Sequence, residues 1–209
     1  MKKRILFIGI IIFILGGALW FGLKWRHTKD QKQVSQREED VVTSFPEAPT
    51  GFSWQECGHM QASFLKPAGW YFHEDIKKDT VACFITKEEI VGQTGEFQTG
   101  LSVNAVKQIP QKTGMQPTVY AKQFIANAKQ YTLLGPQNEI EVGPLKGYGQ
   151  TVESQSRGYG AITQYILVLG NDQTGTVYIM WYESPKTTWD TDWKIGFVMM
   201  ENLALAGEF

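Results

Sequence analysis

Four side chains stand out as able to do chemistry: Cys57, His59, His73 and Cys83. Two thiolates and two imidazoles suit tetrahedral zinc. Cys57 and His59 are two residues apart, so they share a face if a strand begins that early. His73 then falls on the next strand and Cys83 on the third. Three neighbouring strands are an uncommon source of zinc ligands, and Cys-x-His is not the usual structural spacing. The same residues allow a Cys–His nucleophile pair, in which the imidazole takes the thiol proton, but no surrounding motif supports it. A plainer reading joins Cys57 to Cys83 in a disulfide, which an oxidising compartment permits. In a reducing one, Cys83 between Ala82 and Phe84 is a small buried apolar residue.

Other chemistry is thinly represented. The chain has no Gly-x-Ser-x-Gly, P-loop, His-Glu-x-x-His or Cys-x-x-Cys motif. Gly147-Tyr-Gly149 and Gly158-Tyr-Gly160 lack the third glycine and following helix of a dinucleotide fingerprint, and read as hairpin ends or bulges. Glu88-Glu89 and the pair Asp190 and Asp192 are acidic. The second pair opens the last predicted helix, where carboxylates favour the helix dipole. No catalytic residue, metal or cofactor is assigned. The aromatic surplus, 7 Trp, 8 Tyr and 12 Phe, mostly belongs to the core. Trp70, Tyr71, Tyr148, Arg157 and Tyr159 border predicted turns, where aromatics and arginine make interface anchors. The alternative is that they cover the sheet edge.

The elements that would position these groups alternate strongly. Strands are expected over 61–65, 70–76, 80–87, 97–107, 145–153, 158–169 and 176–183. Lys66-Pro-Ala-Gly69 and Asn171-Asp-Gln-Thr-Gly175 read as turns. In the last strand, Val177, Ile179 and Trp181 share one face while Tyr178, Met180 and Tyr182 share the other. A strand apolar on both faces should be central and covered on both sides. Pro117 to Gln130 is an amphipathic helix with a Tyr120, Phe124, Ala128, Tyr131 stripe. Thr187 to Ala204 is a second, with Trp189, Trp193, Phe197, Met200 and Ala204 on its stripe. The expected fold class is α+β, a single antiparallel sheet of about six or seven strands packed by helices.

Ile5 to Leu23 runs nineteen residues without a charge, bracketed by Lys2, Lys3, Arg4 and by Lys24, Arg26. At 1.5 Å per residue this spans roughly 28 Å, the thickness of a bilayer's hydrocarbon layer. One N-terminal transmembrane helix is expected, with residues 1–26 as anchor and Trp20 and Trp25 in an interfacial belt beside Lys24 and Arg26. A cleaved signal peptide is the alternative, using the small residues Gly16 and Ala18, but Leu19, Trp20 and Phe21 carry the apolar run past them. The positive-inside count is divided, with Lys2, Lys3 and Arg4 before the run and Lys24, Arg26, Lys29, Lys32 and Arg37 after it. A four-residue tail ahead of a first apolar segment usually behaves as a signal anchor with its N-terminus inside, and on that rule the rest of the chain is expected outside the cytoplasm. Residues 27–50 are polar and Pro-broken, a flexible tether to a domain over 51–209. Residues 1–50 carry 8 basic and 5 acidic side chains, a net +3, while 51–209 carry 12 and 16, a net −4. A mildly acidic domain argues against nucleic acid as a partner.

One resemblance rests on element order. A strand–Pro-Ala-Gly-Trp–strand opening, Phe64 to Phe72, is followed by a central helix and a β-meander. A strand then runs into Tyr182-Glu-Ser-Pro185 and a tryptophan-bearing helix. This order resembles the α/β/α sandwich of the PsbP, DcrB and Mog-type superfamily over about residues 59–205. Members are mostly non-enzymatic accessory subunits, envelope proteins and adaptors, so the resemblance implies an interaction module. The leading expectation is a membrane-tethered, non-enzymatic binding module that acts on another envelope protein or assembly. One alternative is a metal- or thiol-dependent enzyme using Cys57, His59, His73 and Cys83. Another is a small-ligand binder with an aromatic cavity between sheet and helix.

Overall fold

Strand alternation builds nearly everything in the domain. The computed structural model describes residues 45–77, 80–90, 97–128, 131–156 and 160–205. The expected membrane span lies outside them, as does the tether up to residue 44. Among the described residues no helix is long and apolar enough to cross a membrane.

The structure is α+β with antiparallel pairing throughout, but it has two sheets where the sequence suggests one. Strand β1 (Phe52–Cys57) turns through a 3-10 segment, Gly58–Met60, into β2 (Ala62–Pro67). These two and the C-terminal β11 (Leu203–Leu205) form a three-stranded sheet, with β2 in the middle. The remaining strands are β3 (Tyr71–Lys77), β4 (Thr80–Thr86), β5 (Gly100–Val106), β6 (Thr132–Leu133), β7 (Asn138–Val142), β8 (Leu145–Ser156), β9 (Gly160–Asn171) and β10 (Thr176–Pro185). They form an eight-stranded sheet in the order β3-β4-β5-β10-β9-β8-β6, with β7 also paired to β8. The turn after β2 therefore moves the chain from one layer to another instead of closing a hairpin onto β3. Burial explains this: Ala62, Ser63, Phe64 and Leu65 are all buried, so β2 needs cover on both sides.

Among the described residues three α-helices complete the layers: α1 (Ile109–Thr113), α2 (Pro117–Ala126) and α3 (Trp189–Glu201). The helix expected to reach Gln130 stops at Ala126, with Asn127 as its C-cap. The helix expected to reach Ala204 stops at Glu201, because Leu203 to Leu205 pair with β2. Strand β10 lies between β5 and β9. Tyr178, Met180 and Tyr182 enter one core with Phe64, Leu101, Val103 and Met199, beneath the small sheet and α3. Val177 enters the other with Ile109, Ala121, Ile125 and Ile166, beneath α1 and α2. The end of the expected tether is also held: Trp54 Nε1 donates to the Pro46 carbonyl at 2.7 Å, and Phe45 stacks on Trp54.

Two close approaches fix the long helices. The N-cap residue of α2, Gln116, makes no side-chain cap. Instead Asp172, in the β9–β10 turn, accepts from Thr118 N at 2.9 Å and from Thr118 Oγ1 at 2.8 Å. This puts a carboxylate where the helix dipole favours it. The helix start also lies on Gly170, where a Cβ would run into the Pro117 backbone. On the other face, Gly196 of α3 rests on the ring of Tyr182, whose hydroxyl donates to the Asp192 carbonyl at 2.7 Å.

A Cβ at position 196 would lie 2.5 Å from Tyr182 Cε1. Alanine is the better helix former by about 1 kcal/mol, yet overpacking a close contact typically costs about 1–3 kcal/mol. Tyr182 is fully buried and pinned by its hydroxyl, so it cannot yield and the packing cost wins. Gly196→Ala should destabilise the chain by about 1–2 kcal/mol in urea unfolding; a stabilised variant would show that α3 shifts freely over Tyr182.

Candidate functional site

The sequence quartet is only partly assembled. Cys57 ends β1 and Cys83 lies in β4, and the structure joins them in a disulfide with a Cα–Cα distance of 6.4 Å. Both cysteines are buried. The bond staples the small sheet to the large one. Its two sulfurs are bonded to each other, so neither is a thiolate for zinc or for nucleophilic attack. Strand parity separates the histidines. Glu74 pairs with Cys83 in the ladder and His73 with Phe84, so His73 points to the opposite face and packs near the Phe84 ring. Glu74 takes the place that the sequence reading gave to His73. Its Oε1 lies 3.6 Å from Cys57 Sγ, accepts from the His59 backbone N at 3.2 Å, and lies 3.3 Å from His59 Nδ1. Counting positions along β3 from Cys83's partner would have found it.

One residue of each acidic pair, Glu88 and Asp192, makes structural contacts. Glu88 Oε2 accepts from the backbone N of Gln98 and Thr99, at 3.3 and 3.1 Å. Asp190 and Asp192 stand in the first turn of α3 as expected. Asp192 is buried, with Lys87 Nζ at 3.3 Å.

Among the described residues, Trp70, Tyr71 and Tyr148 do not form one patch. Trp70 is half-buried against the core beneath the small sheet. Tyr71 is 46% exposed on β3, an outer strand. Tyr148 is half-buried on β8 with Lys122 Nζ 5.7 Å from its ring centre. Five strand spacings of about 4.8 Å separate β3 from β8, roughly 24 Å. Arg157 and Tyr159 lie outside the described residues.

The face beneath α2 carries two recesses that share Tyr131. One, of about 370 Å³, is an aromatic cavity between sheet and helix, lined by Met115, Tyr120, Phe124, Ala128, Tyr131 and Trp181. Gln123 and Asn127 are its polar lining residues. The Tyr131 and Trp181 rings meet edge to face at 6.5 Å, and Tyr120 and Phe124 lie 6.1 Å apart. The helical stripe of the sequence contains Tyr120, Phe124, Ala128 and Tyr131; the parity of β10 supplies Trp181. The second recess is polar and includes Ser154 and Gln164. Gln164 Nε2 donates to Glu183 Oε2 at 2.5 Å, and Ser154 Oγ donates to Gln164 Oε1 at 3.4 Å. Burial pushes the Glu183 carboxyl above the usual carboxylate range, and the Gln164 hydrogen bond opposes this.

No family model and no curated protein matches the chain. Among solved structures it is similar to a cyanobacterial PsbP (CyanoP) from Synechocystis, at 13% identity and a TM-score of 0.44, covering 76% of this chain and 95% of that one. It is also similar to the Ran-binding protein Mog1p of Saccharomyces cerevisiae, at 8% identity and 0.42, covering 74% and 95%. A Bacteroides thetaiotaomicron protein matches at 12% identity and 0.39 over 69% of this chain, which spans 45% of that protein's length. PsbP and Mog are the types that the element order resembles. No residue role transfers from them.

Two predictions follow from these contacts. The disulfide closes a loop between positions 26 apart, for which loop entropy gives about 3.5 kcal/mol. Replacing both cysteines by alanine should lower urea stability by that order, and a reductant should lower the wild type to match. The second concerns Glu183. The folded chain holds this proton more tightly than the unfolded one, whose carboxyl titrates near about 4.3. Its stabilising contribution is complete below that value and is lost as pH rises through the raised folded value. Glu183→Gln keeps a hydrogen-bonding group without the titration. Its urea midpoint should exceed the wild type's at pH 7, with the gap closing toward pH 4.

Proposed function

We propose that this chain is a membrane-tethered accessory domain that binds another envelope protein on the outer side of the cytoplasmic membrane and catalyses no reaction itself. The Cys57–Cys83 disulfide carries the reading. A buried disulfide that joins two sheets fits an oxidising compartment, outside the cytoplasm. The nineteen uncharged residues between Arg4 and Lys24, with basic residues on both flanks, support the membrane anchor. For the binding surface we favour the outer strand β3. Tyr71 and Ile76 are 46% and 52% exposed there. An edge strand offers backbone donors and acceptors to a partner strand, with side chains on alternate positions to select it. Tyr71 supplies the aromatic anchor.

The test uses the full-length chain in its native membrane, crosslinked and recovered through a C-terminal tag. A reproducible partner should appear, vanish when residues 51–209 are exchanged for an unrelated domain, and fall several-fold with Tyr71→Ala. Recovery of the same partners after the exchange would defeat the binding role. Alkylation of Cys57 and Cys83 in intact cells without reductant would defeat the compartment.

A further inference from the structure

We propose that the aromatic cavity beside α2 is a binding site for a small, uncharged, ring-bearing molecule carrying a hydrogen-bond acceptor oxygen. The inference does not depend on the anchoring or the compartment. Three observations lead to it. The first is size: about 370 Å³ falls within the range of small-molecule sites, roughly 300–1,000 Å³. The second is the wall. Tyr120, Phe124, Tyr131 and Trp181 offer ring faces and edges, which favour a flat apolar body.

The third is the balance of polar groups. Among the described residues that line the cavity there is no Asp, Glu, Lys, Arg or His. An ionic ligand would lose its hydration there with no opposite charge to replace it, so the site selects neutral molecules. Trp181, meanwhile, has its Nε1–H buried without a hydrogen-bond partner. A buried donor left unmet is costly. The atom is closed to solvent while the indole itself is half-buried, so an acceptor oxygen on a ligand would meet it as the indole turns toward the cavity. The Gln123 and Asn127 amides provide further donors and acceptors. Position along β10 explains why such a group is present. Trp181 pairs with Ser102 on β5 and Ile166 on β9. It therefore stands between a small polar residue on one side and the apolar floor of α2 on the other.

The probes are acetophenone, which has a ring and an acceptor oxygen, ethylbenzene, which lacks the oxygen, and benzoate, which adds charge. The full-length chain is held in lipid nanodiscs, with empty nanodiscs subtracted. Location is read by fluorine NMR of 5-fluorotryptophan, with the Trp181 signal assigned from Trp181→Phe. Affinity is read by saturation transfer to the ligand. Acetophenone should shift the Trp181 signal saturably, with a dissociation constant on the order of 1 mM. It should bind several-fold more tightly than ethylbenzene and benzoate. Trp181→Phe keeps a ring but removes the donor, and should erase the preference for acetophenone over ethylbenzene. Ala128→Leu, a modest filling of the cavity, should weaken all binding. The proposal is overturned if Trp181 does not respond, if benzoate binds as well as acetophenone, or if Trp181→Phe keeps the preference.

Discussion

A single strand with no polar face sets the architecture. In β10 both sets of alternating side chains are apolar, so neither side can be left to water. The chain answers with cover of two kinds. On one face, α3 and the small sheet close over Tyr178, Met180 and Tyr182; on the other, α1 and α2 close over Val177. The neighbouring strands can then be less demanding. Strand β5 turns Leu101, Val103 and Ala105 to the first face, where they are buried, and Ser102 and Asn104 to the second.

The first of these covers creates a problem that the disulfide answers. A three-stranded sheet made from the two ends of the domain must stay on a larger sheet with which it shares no ladder. Side-chain packing supplies most of the attraction, through residues such as Phe64 and Met60. The Cys57–Cys83 bond ties that layer at the end of β1, beside the outer half of the large sheet. Removing the bond leaves the hydrophobic contact intact and releases entropy in the unfolded chain, which is why its contribution belongs to the unfolded state as much as to the folded one.

Legibility in the sequence followed the strength of the local pattern. Short apolar runs rich in β-branched and aromatic residues over 80–87 and 176–183 mark β4 and β10, and the two-sided apolar character of β10 places it centrally. The small sheet was harder. Phe52 to Cys57 carries Ser53, Gln55 and Glu56 and lacks a clean period, while Leu203 to Leu205 is a three-residue strand that continues a helical stripe. Both exist because β2 needs partners, a tertiary demand that no window of the sequence contains. Among site residues, Cys57 and Cys83 were visible by type. Residue type alone points to His73 as the ligand, but strand parity decides which side chain meets Cys83, and it selects Glu74. Tyr71 stood at a predicted turn and is exposed; Trp70, next to it, turned into the core.

The aromatic cavity follows from a mismatch of widths. A helix with its side chains is about 10–12 Å across, and strands lie about 4.8 Å apart, so one helix covers between two and three strands. Asp172 and Gly170 dock the start of α2 against β9, which commits its cover to β8, β9 and the near side of β10. Beyond that line the sheet face must be polar or be covered otherwise. Ser102 and Asn104 on β5 meet the first condition. Trp181 stands on the line itself, too large for the helix to bury and too apolar for water. Tyr131, placed just beyond the end of α2 by its backbone bond to the Ala128 carbonyl, comes edge-on to it without closing the space. The recess is thus a consequence of where α2 is pinned. Moving the pin one strand toward β5 would bury Trp181 and uncover Val152 on β8, exchanging an open flank for a broken core.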